Sequence, residues 1–427
     1  MLRFLYTVLL LVATPLILLR LWLRGRREPG YRQHIGERFG DLAQEKLRSS
    51  IWIHAVSVGE TRAAASLVAA LRIRFPQQPM LITCMTVTGR ATATELYGSF
   101  ATIAYLPYDF PWASRQLIER FDPRILLIME TEIWPNLIAS CRDASIPALL
   151  VNARLSERSS AGYARWAIVR ALIREAMQGL QQVAAQSSED AQRLTSLGAN
   201  GVLVTGNMKF DIEPSLGQIA LGTAWQNALN ERHESRHVLL AASTREGEEA
   251  LIIDAYKTHF DGTARTRSLL VIVPRHPQRF DDVYAQIVSA GLRVQRRSES
   301  TEISHDTEVW LGDSMSEMFA YLQMCDVVFI GGSLVPVGGQ NLIEPCALGK
   351  PVLMGPSDFN FADAAREAEA TGAMIRVSDA NHFASTARTL LDDDEQRAAM
   401  SQHALAFAAS HRGATEKTVA LITHLLK

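Results

Sequence analysis

From residue 51 onward, short apolar runs alternate with amphipathic segments, and this alternation leaves few folds open. Helix-period stretches between buried strands are the mark of βα units, whose strands run parallel and are covered on both faces. In the first block the expected strands are Ile51–Val56, Met80–Met85, Ala101–Tyr105, Arg124–Met129, Ala148–Val151 and Gln182–Gln186. Helical patterns such as Glu60–Phe75 and Ala113–Arg120 lie between them. A polar stretch, Phe210–Gln218, carries Pro214 and Gly217 and reads as a linker. The pattern restarts with Val238–Ala242, Leu269–Val273, Val309–Gly312, Asp326–Ile330, Pro351–Met354 and Ala373–Val377. The expectation is an α/β protein of two Rossmann-like, doubly wound domains facing each other across a cleft. In such sheets ligands bind beyond the carboxyl ends of the strands, so the loops after strands are where chemistry is sought.

A chain of 427 residues exceeds one typical core, which agrees with two domains. With 43 basic and 45 acidic residues the net charge is −2, which argues against a general nucleic-acid binder. Cys84, Cys141, Cys325 and Cys346 are far apart and sit in or beside apolar segments. They have no zinc-ligand spacing and read as reduced core residues.

The start of the chain differs from the rest. Phe4 to Leu19 is uncharged and apolar, followed by Arg20, Leu21-Trp22-Leu23, Arg24, Arg26 and Arg27. As a helix the run spans about 24 Å, slightly short of the ~30 Å hydrocarbon core; extension to Leu23, with Arg20 reaching for the interface, closes the gap. Basic residues after the run disfavour a cleaved signal peptide, and their excess there keeps the remaining chain in the cytoplasm. Residues 1–27 are therefore expected to be an uncleaved membrane anchor, spanning the bilayer or monotopic if Pro15 prevents a full span.

Several strand-to-helix loops carry polar groups suited to chemistry. The longest runs from Gly331 through Gly338-Gly339-Gln340-Asn341-Leu342-Ile343-Glu344-Pro345 after the apolar strand Asp326–Ile330. Its glycines permit close backbone approach, and a helix starting near Asn341 would present amides and a positive dipole end to a phosphate. Glu344 is placed to accept from a ribose diol. The pattern is neither a P-loop nor the dinucleotide glycine fingerprint, and an ordinary glycine-rich turn is the competing reading. In Ser57-Val58-Gly59-Glu60 the carboxylate sits at a helix start, either as a general base or as a first-turn glutamate favoured by the helix dipole. Met129-Glu130-Thr131-Glu132-Ile133-Trp134-Pro135-Asn136 places two acids after a strand. If the strand continues through them, they point the same way and one pKa rises.

Gly206-Asn207-Met208-Lys209-Phe210-Asp211 puts a lysine at the handover between domains, to meet an anionic substrate or to lie on the surface. Pro274-Arg275-His276-Pro277 offers basic groups on a rigid turn for a phosphate or an acidic sugar. Gly312-Asp313-Ser314-Met315-Ser316-Glu317 begins another helix, with Asp313 or Ser314 as its N-cap. The basic-aromatic segment Tyr31–Gly40 is either a lipid-headgroup contact or a packed connector.

These motifs, in this order, resemble the Kdo transferases, the bacterial 3-deoxy-D-manno-octulosonic acid transferases of lipopolysaccharide core synthesis. The resemblance covers nearly the whole chain, anchor included. It implies a GT-B glycosyltransferase fold, CMP-Kdo as donor, lipid A precursor (lipid IVA) as acceptor, inversion at the transferred sugar, no cofactor and no metal. It implies residence at the inner membrane with the catalytic domains on the cytoplasmic face, and no nucleic-acid partner. Residue by residue, Glu60 resembles the family's general base, Glu130 its second essential carboxylate and Lys209 a lysine supporting the transition state. Arg275 and His276, then Met315, Ser316 and Glu317, then Asn341, Leu342, Ile343 and Glu344, match CMP-binding segments. Ser316 stands where glycine is expected and Gln340 where histidine is expected. The implied domains are 28–212, binding acceptor, and 213–427, binding the CMP-sugar. The nearest alternative is a GT-B transferase using another nucleotide sugar on a membrane acceptor.

Overall fold

The structure, a computed structural model, describes the chain except for residues 27, 212, 233–235, 301 and 427. Arg27, the expected end of the anchor, and Ile212, the expected domain boundary, thus lie outside the described residues. The chain divides into two compact units: Met1–Ile212 with Arg412–Lys427, and Glu213–His411.

Among the described residues each unit is built on a parallel sheet of seven strands. In the first unit these are β1 (Ser50–His54), β2 (Met80–Cys84), β3 (Ala101–Tyr105), β4 (Pro123–Met129), β5 (Ala148–Ala153), β6 (Gln182–Ala185) and β7 (Val202–Val204). Their spatial order is β3-β2-β1-β4-β5-β6-β7. Every residue of β1 and β2 is buried, because helices cover both faces of the sheet. Alternation sorts the side chains into two cores. Ile51, Ile53, Ile125 and Leu127 pack on one face, and Trp52, Leu126 and Ile128 on the other.

The second unit repeats the design with β8 (His237–Thr244), β9 (Ser268–Pro274), β10 (Val294–Arg296), β11 (Val309–Leu311), β12 (Val327–Ile330), β13 (Val352–Met354) and β14 (Met374–Arg376). Their order is β10-β11-β9-β8-β12-β13-β14. In each sheet the first strand is flanked on one side by its successor and on the other by a later strand. This is a topological switch point, where the loops leave a crevice at the carboxyl ends. In the first sheet it lies between β1 and β4, and in the second between β8 and β12.

Two strands absent from the sequence reading, β7 and β10, are short edge strands. The expected helix Glu60–Phe75 is two, Val58–Ala63 and Ala65–Arg74. The last residues, expected in the second domain as part of 213–427, belong instead to the first unit. Helix Ala414–Leu425 buries Ala414 and Ile422 in the first unit's core, and the Asp211 carboxylate accepts the amides of Gly413 (2.7 Å) and Thr415 (2.6 Å) at its start. A carboxylate on helix-start amides, plus a buried apolar stripe, fixes the helix there.

Candidate functional site

The first switch point is acidic. After β1, Ser57 precedes the short helix Val58–Ala63, and Glu60 sits in its first turn. The Glu60 carboxylate folds back on the strand end, accepting from the Val56 amide at 2.8 Å and the Ser57 hydroxyl at 3.0 Å. Burial pushes its pKa up to about 7; the Val56 amide opposes this, and the charges of Glu130 and Glu132 add to it. A carboxyl tuned to neutrality is matched to accept a proton at neutral pH.

After β4 the strand does not continue through Glu130 and Glu132, so the condition under which they would point the same way is not met. The strand ends at Met129, and Glu130 has φ 57°, a left-handed backbone that a glutamate seldom adopts. The turn leaves the Glu130 amide bonded to the Val151 carbonyl at 3.0 Å and delivers its side chain to Lys209. Lys209 Nζ meets Glu130 Oε1 at 3.0 Å, both side chains being about four-fifths covered. Lys209 is itself positioned by turns: its amide donates to Asn207 Oδ1, and the Met208 amide donates to Asn152 Oδ1 of β5, each at 3.0 Å. Burial also raises the Glu132 carboxyl, with the Trp134 indole opposing and the Glu130 charge adding. Beneath them His54 is fully buried with its pKa lowered to about 4 by burial, so it is a neutral packing and hydrogen-bonding group against Thr83. Sequence reasoning thus brought together Glu60, Glu130 and Lys209, and the structure gathers them on adjoining loops of one unit.

The second switch point is cationic at its rim. After β8, the Arg245 guanidinium contacts His276 Nε2 at 2.9 Å, and after β9 the Arg275 amide donates to the Thr244 carbonyl at 3.0 Å. Burial and the charges of Arg245 and Arg275 lower the His276 pKa. Arg245 lies outside the motifs read from the sequence above. Its signal was its position, directly after the first strand of the second block.

The glycine loop differs from the expected cradle. Glu248, fully buried at the start of helix Glu248–His259, accepts the amides of Gly332 (2.6 Å), Ser333 (3.1 Å), Leu334 (2.9 Å) and Arg245 (3.2 Å). The loop amides nearest the strand therefore hold a carboxylate of the protein itself. Gly331 lies so close to the Ser243 carbonyl that a Cβ would collide with it, and Gly332 has φ 69°. A Cβ on Gly332 would meet the side chains of Arg245 and Gln340, which places Gln340 beside the cationic rim. The helix expected from Asn341 spans only Ile343–Ala347, with Asn341 Oδ1 accepting the Ile343 amide at 2.9 Å. Leu342 and Ile343 are buried, so contacts made there to a ligand are backbone contacts, while Glu344 is partly exposed.

Beyond β11, Glu317 rather than Asp313 or Ser314 precedes helix Met318–Met324. Asp313 instead accepts from the Ser298 amide and hydroxyl at 2.8 and 2.6 Å, and Ser314 donates to Glu317 at 2.5 Å. Arg297 pairs with Glu317 at 2.9 Å, and Met315 is exposed. Ser316 has φ 64°, the conformation that makes glycine the expected residue. Because β11, β9, β8 and β12 are neighbours, Met315–Glu317, Arg275–His276, Arg245 and the glycine loop all emerge at one edge of this sheet.

Residues 33–212 match the family model described as 3-Deoxy-D-manno-octulosonic-acid transferase (kdotransferase), and residues 280–406 match Glycosyl transferases group 1. A 3-deoxy-D-manno-octulosonic acid transferase of Bordetella pertussis is 44% identical over 428 residues, with 98% of each chain covered. The chain belongs to the Kdo transferase family. A second member, from Haemophilus influenzae, is 33% identical and covers 100% of this chain and 99% of its own. The solved UDP-GlcNAc 2-epimerase of Neisseria meningitidis, 16% identical, matches with TM-score 0.59 over 88% of this chain and 100% of its own. That likeness concerns the fold alone: two doubly wound Rossmann-like domains, the GT-B architecture. Kdo transferases are glycosyltransferases.

Proposed function

We propose that this Kdo transferase moves Kdo from CMP-Kdo to a glucosamine hydroxyl of lipid A precursor, with inversion and without metal. The observation that carries the reading is Glu60: a carboxyl raised to about 7, beside the Glu130–Lys209 pair at a switch point. Its carboxylate takes the hydroxyl proton as the acceptor oxygen forms a bond to C2 of the sugar. The C2–phosphate oxygen bond breaks, and CMP leaves with the electron pair. The first unit, as acceptor-binding domain, supplies the base, with Lys209, oriented by Glu130, offering positive charge to the developing anion.

The second unit holds CMP. Arg275 and His276, joined by Arg245, meet its phosphate, and Met315–Glu317 and Asn341–Glu344 hold the nucleoside through backbone and Glu344 contacts. Because Glu248 occupies the first loop amides, the negative charge of CMP rests on these basic side chains rather than on the glycine loop. The apolar helix Leu2–Arg24 keeps the enzyme at the inner membrane, where its acceptor resides. Arg20, Arg24 and Arg26 beyond the apolar run favour a cytoplasmic position for both units.

The test is to incubate the purified protein with a CMP-Kdo-generating mix and lipid A precursor in EDTA, and to weigh the lipid. A mass gain of whole Kdo units is expected, and their number gives the count of sugars added. No gain, with CMP still bound, overturns the assigned donor sugar or acceptor; a gain only when metal is restored overturns metal independence.

A further inference from the structure

Helix Leu2–Arg24 is long and apolar enough to cross a membrane. A crossing helix would put its first and last turns on opposite sides of the ~30 Å hydrocarbon core, so at most one end touches the folded unit. Here both ends do. At the start, the Arg3 guanidinium donates to Glu175 Oε1 at 2.9 Å, and Thr7 Oγ1 accepts from the Asn136 side-chain amide at 3.0 Å. The Tyr6 hydroxyl lies against the Asp109 carboxylate. Asn136 and Asp109 are each 2% exposed, so the helix start is bound to the core of the unit rather than to its rim. At the far end Leu21 is buried, and Arg32 donates to the Trp22 carbonyl at 3.1 Å.

The positions between follow the same geometry. Tyr6, Thr7, Leu10, Ala13, Ile17 and Leu21 recur every three or four residues and are partly or fully covered. On the opposite face Leu5, Val12, Leu16, Leu19 and Leu23 are exposed, although water gives no reason to expose them. Helix Ala167–Gln178, which carries Glu175, adds Ile168 (61% exposed), with Trp166 (64% exposed) just before it. Cations accompany the aromatic groups: Arg26 and Arg32 lie 4.2 and 5.3 Å from the Trp22 ring centroid, and Arg165 lies 5.8 Å from that of Trp166. Apolar faces edged by tryptophan and arginine suit the boundary between acyl chains and anionic headgroups.

We infer that this helix does not span the bilayer. It lies in the plane of one leaflet as a fixed part of the first unit, its outer face among the acyl chains and its arginines on anionic headgroups. Trp166 and Ile168 extend the same surface. This rests on the membrane location proposed above and gives it a geometry. It also ties the bilayer to the acidic loop. The Asp109 carboxylate accepts the amides of Asn136 (2.9 Å) and Leu137 (2.8 Å), at the start of the helix that follows Glu130–Trp134. Tyr6 and Thr7 hold that junction from the membrane side.

The full chain carrying Leu2→Cys tests this against low background, because Cys84, Cys141, Cys325 and Cys346 are all buried. A membrane-impermeant maleimide is applied to intact spheroplasts and to inverted inner-membrane vesicles. Labelling confined to inverted vesicles is expected; labelling in intact spheroplasts overturns the in-plane helix. A second variant, Trp166→Glu with Ile168→Glu, is floated with phosphatidylglycerol-containing vesicles after its melting temperature is shown to be unchanged. A loss of vesicle binding of about tenfold or more is expected from removing two large apolar contacts, and undiminished binding excludes them from the surface. Labelling reads topology without turnover, so its failure is distinguishable from a failure of Kdo transfer.

Discussion

At the switch point of the first sheet the side chains are carboxylates: Glu60 raised to about 7 by burial, with Glu130 and Glu132 on the next loop. At the switch point of the second sheet the rim carries Arg245, Arg275 and His276, and the carboxylate present, Glu248, is turned inward and consumed by loop amides. The scaffolds are the same: seven parallel strands with a first strand flanked by its successor and by a later strand. What differs is which way the carboxylates face and whether their hydrogen-bond capacity is spent. Four amide donors spend the acceptor capacity of Glu248 and oppose the burial that raises its pKa. Glu60, with two donors and like charges beside it, keeps the capacity that its proposed role as base requires. Position at a sheet's carboxyl edge says where chemistry occurs; the local donor count says which chemistry.

The sharpest way to break this contrast is Glu60→Gln. Kdo transfer should fall at least about 10²-fold, while CMP binding by calorimetry stays unchanged, because only the proton acceptor is lost. The same group sets the pH profile. As the proposed base, Glu60 would act in its ionised form, and its pKa is raised to about 7, so kcat/KM should drop about tenfold per unit below that pH and level off above it. Glu132→Gln removes a like charge and should move the midpoint downward. A flat profile through this range would leave the base elsewhere.

Next in size is Glu248→Ala. It strands the amides of Gly332, Ser333, Leu334 and Arg245 in a buried site, each costing on the order of 1–3 kcal/mol if nothing replaces the carboxylate. The second unit should melt well below the wild type, and CMP binding should weaken about 10- to 100-fold. Unchanged CMP affinity would show that the loop's shape does not depend on its internal anion.

Much of this was legible in the chain. Central strands announce themselves because both faces are buried, so Met80–Cys84 and Val327–Ile330 read as nearly unbroken apolar runs. The edge strands Val202–Val204 and Val294–Arg296 are three residues each and partly open to solvent, too short for a period to show. Helix Ala414–Leu425 has an ordinary amphipathic pattern, and nothing local says which core it covers; Asp211, about two hundred residues earlier in the chain, decides that. The left-handed turn at Glu130 is imposed by its surroundings, since glutamate has no preference for it. Glu248 reads as a first-turn helix glutamate, and only the fold reveals the loop it fills.

Arg245→Ala probes the cationic rim without touching a residue matched to the family's motifs. The side chain lies over Gly332 and against His276, so it should contribute to holding the CMP phosphate. A loss of about tenfold in CMP affinity, roughly 1.4 kcal/mol, is expected, and it should shrink at high salt. A loss that ignores salt would instead mark Arg245 as a packing element for His276.

The smallest effect tests whether the second rim binds through backbone or side chain. Ser316 holds φ 64° where a glycine would sit without strain, and its carbonyl accepts from the Gln218 side chain. Ser316→Gly relieves that strain, but the freer unfolded chain opposes the gain, so net stabilisation should lie between zero and about 1 kcal/mol. If the Met315–Glu317 turn meets CMP through its main chain, affinity should not change, because the backbone shape is kept. A measurable weakening would mean that the serine hydroxyl itself reaches the nucleotide, and that the departure from glycine here is a contact rather than a tolerated strain.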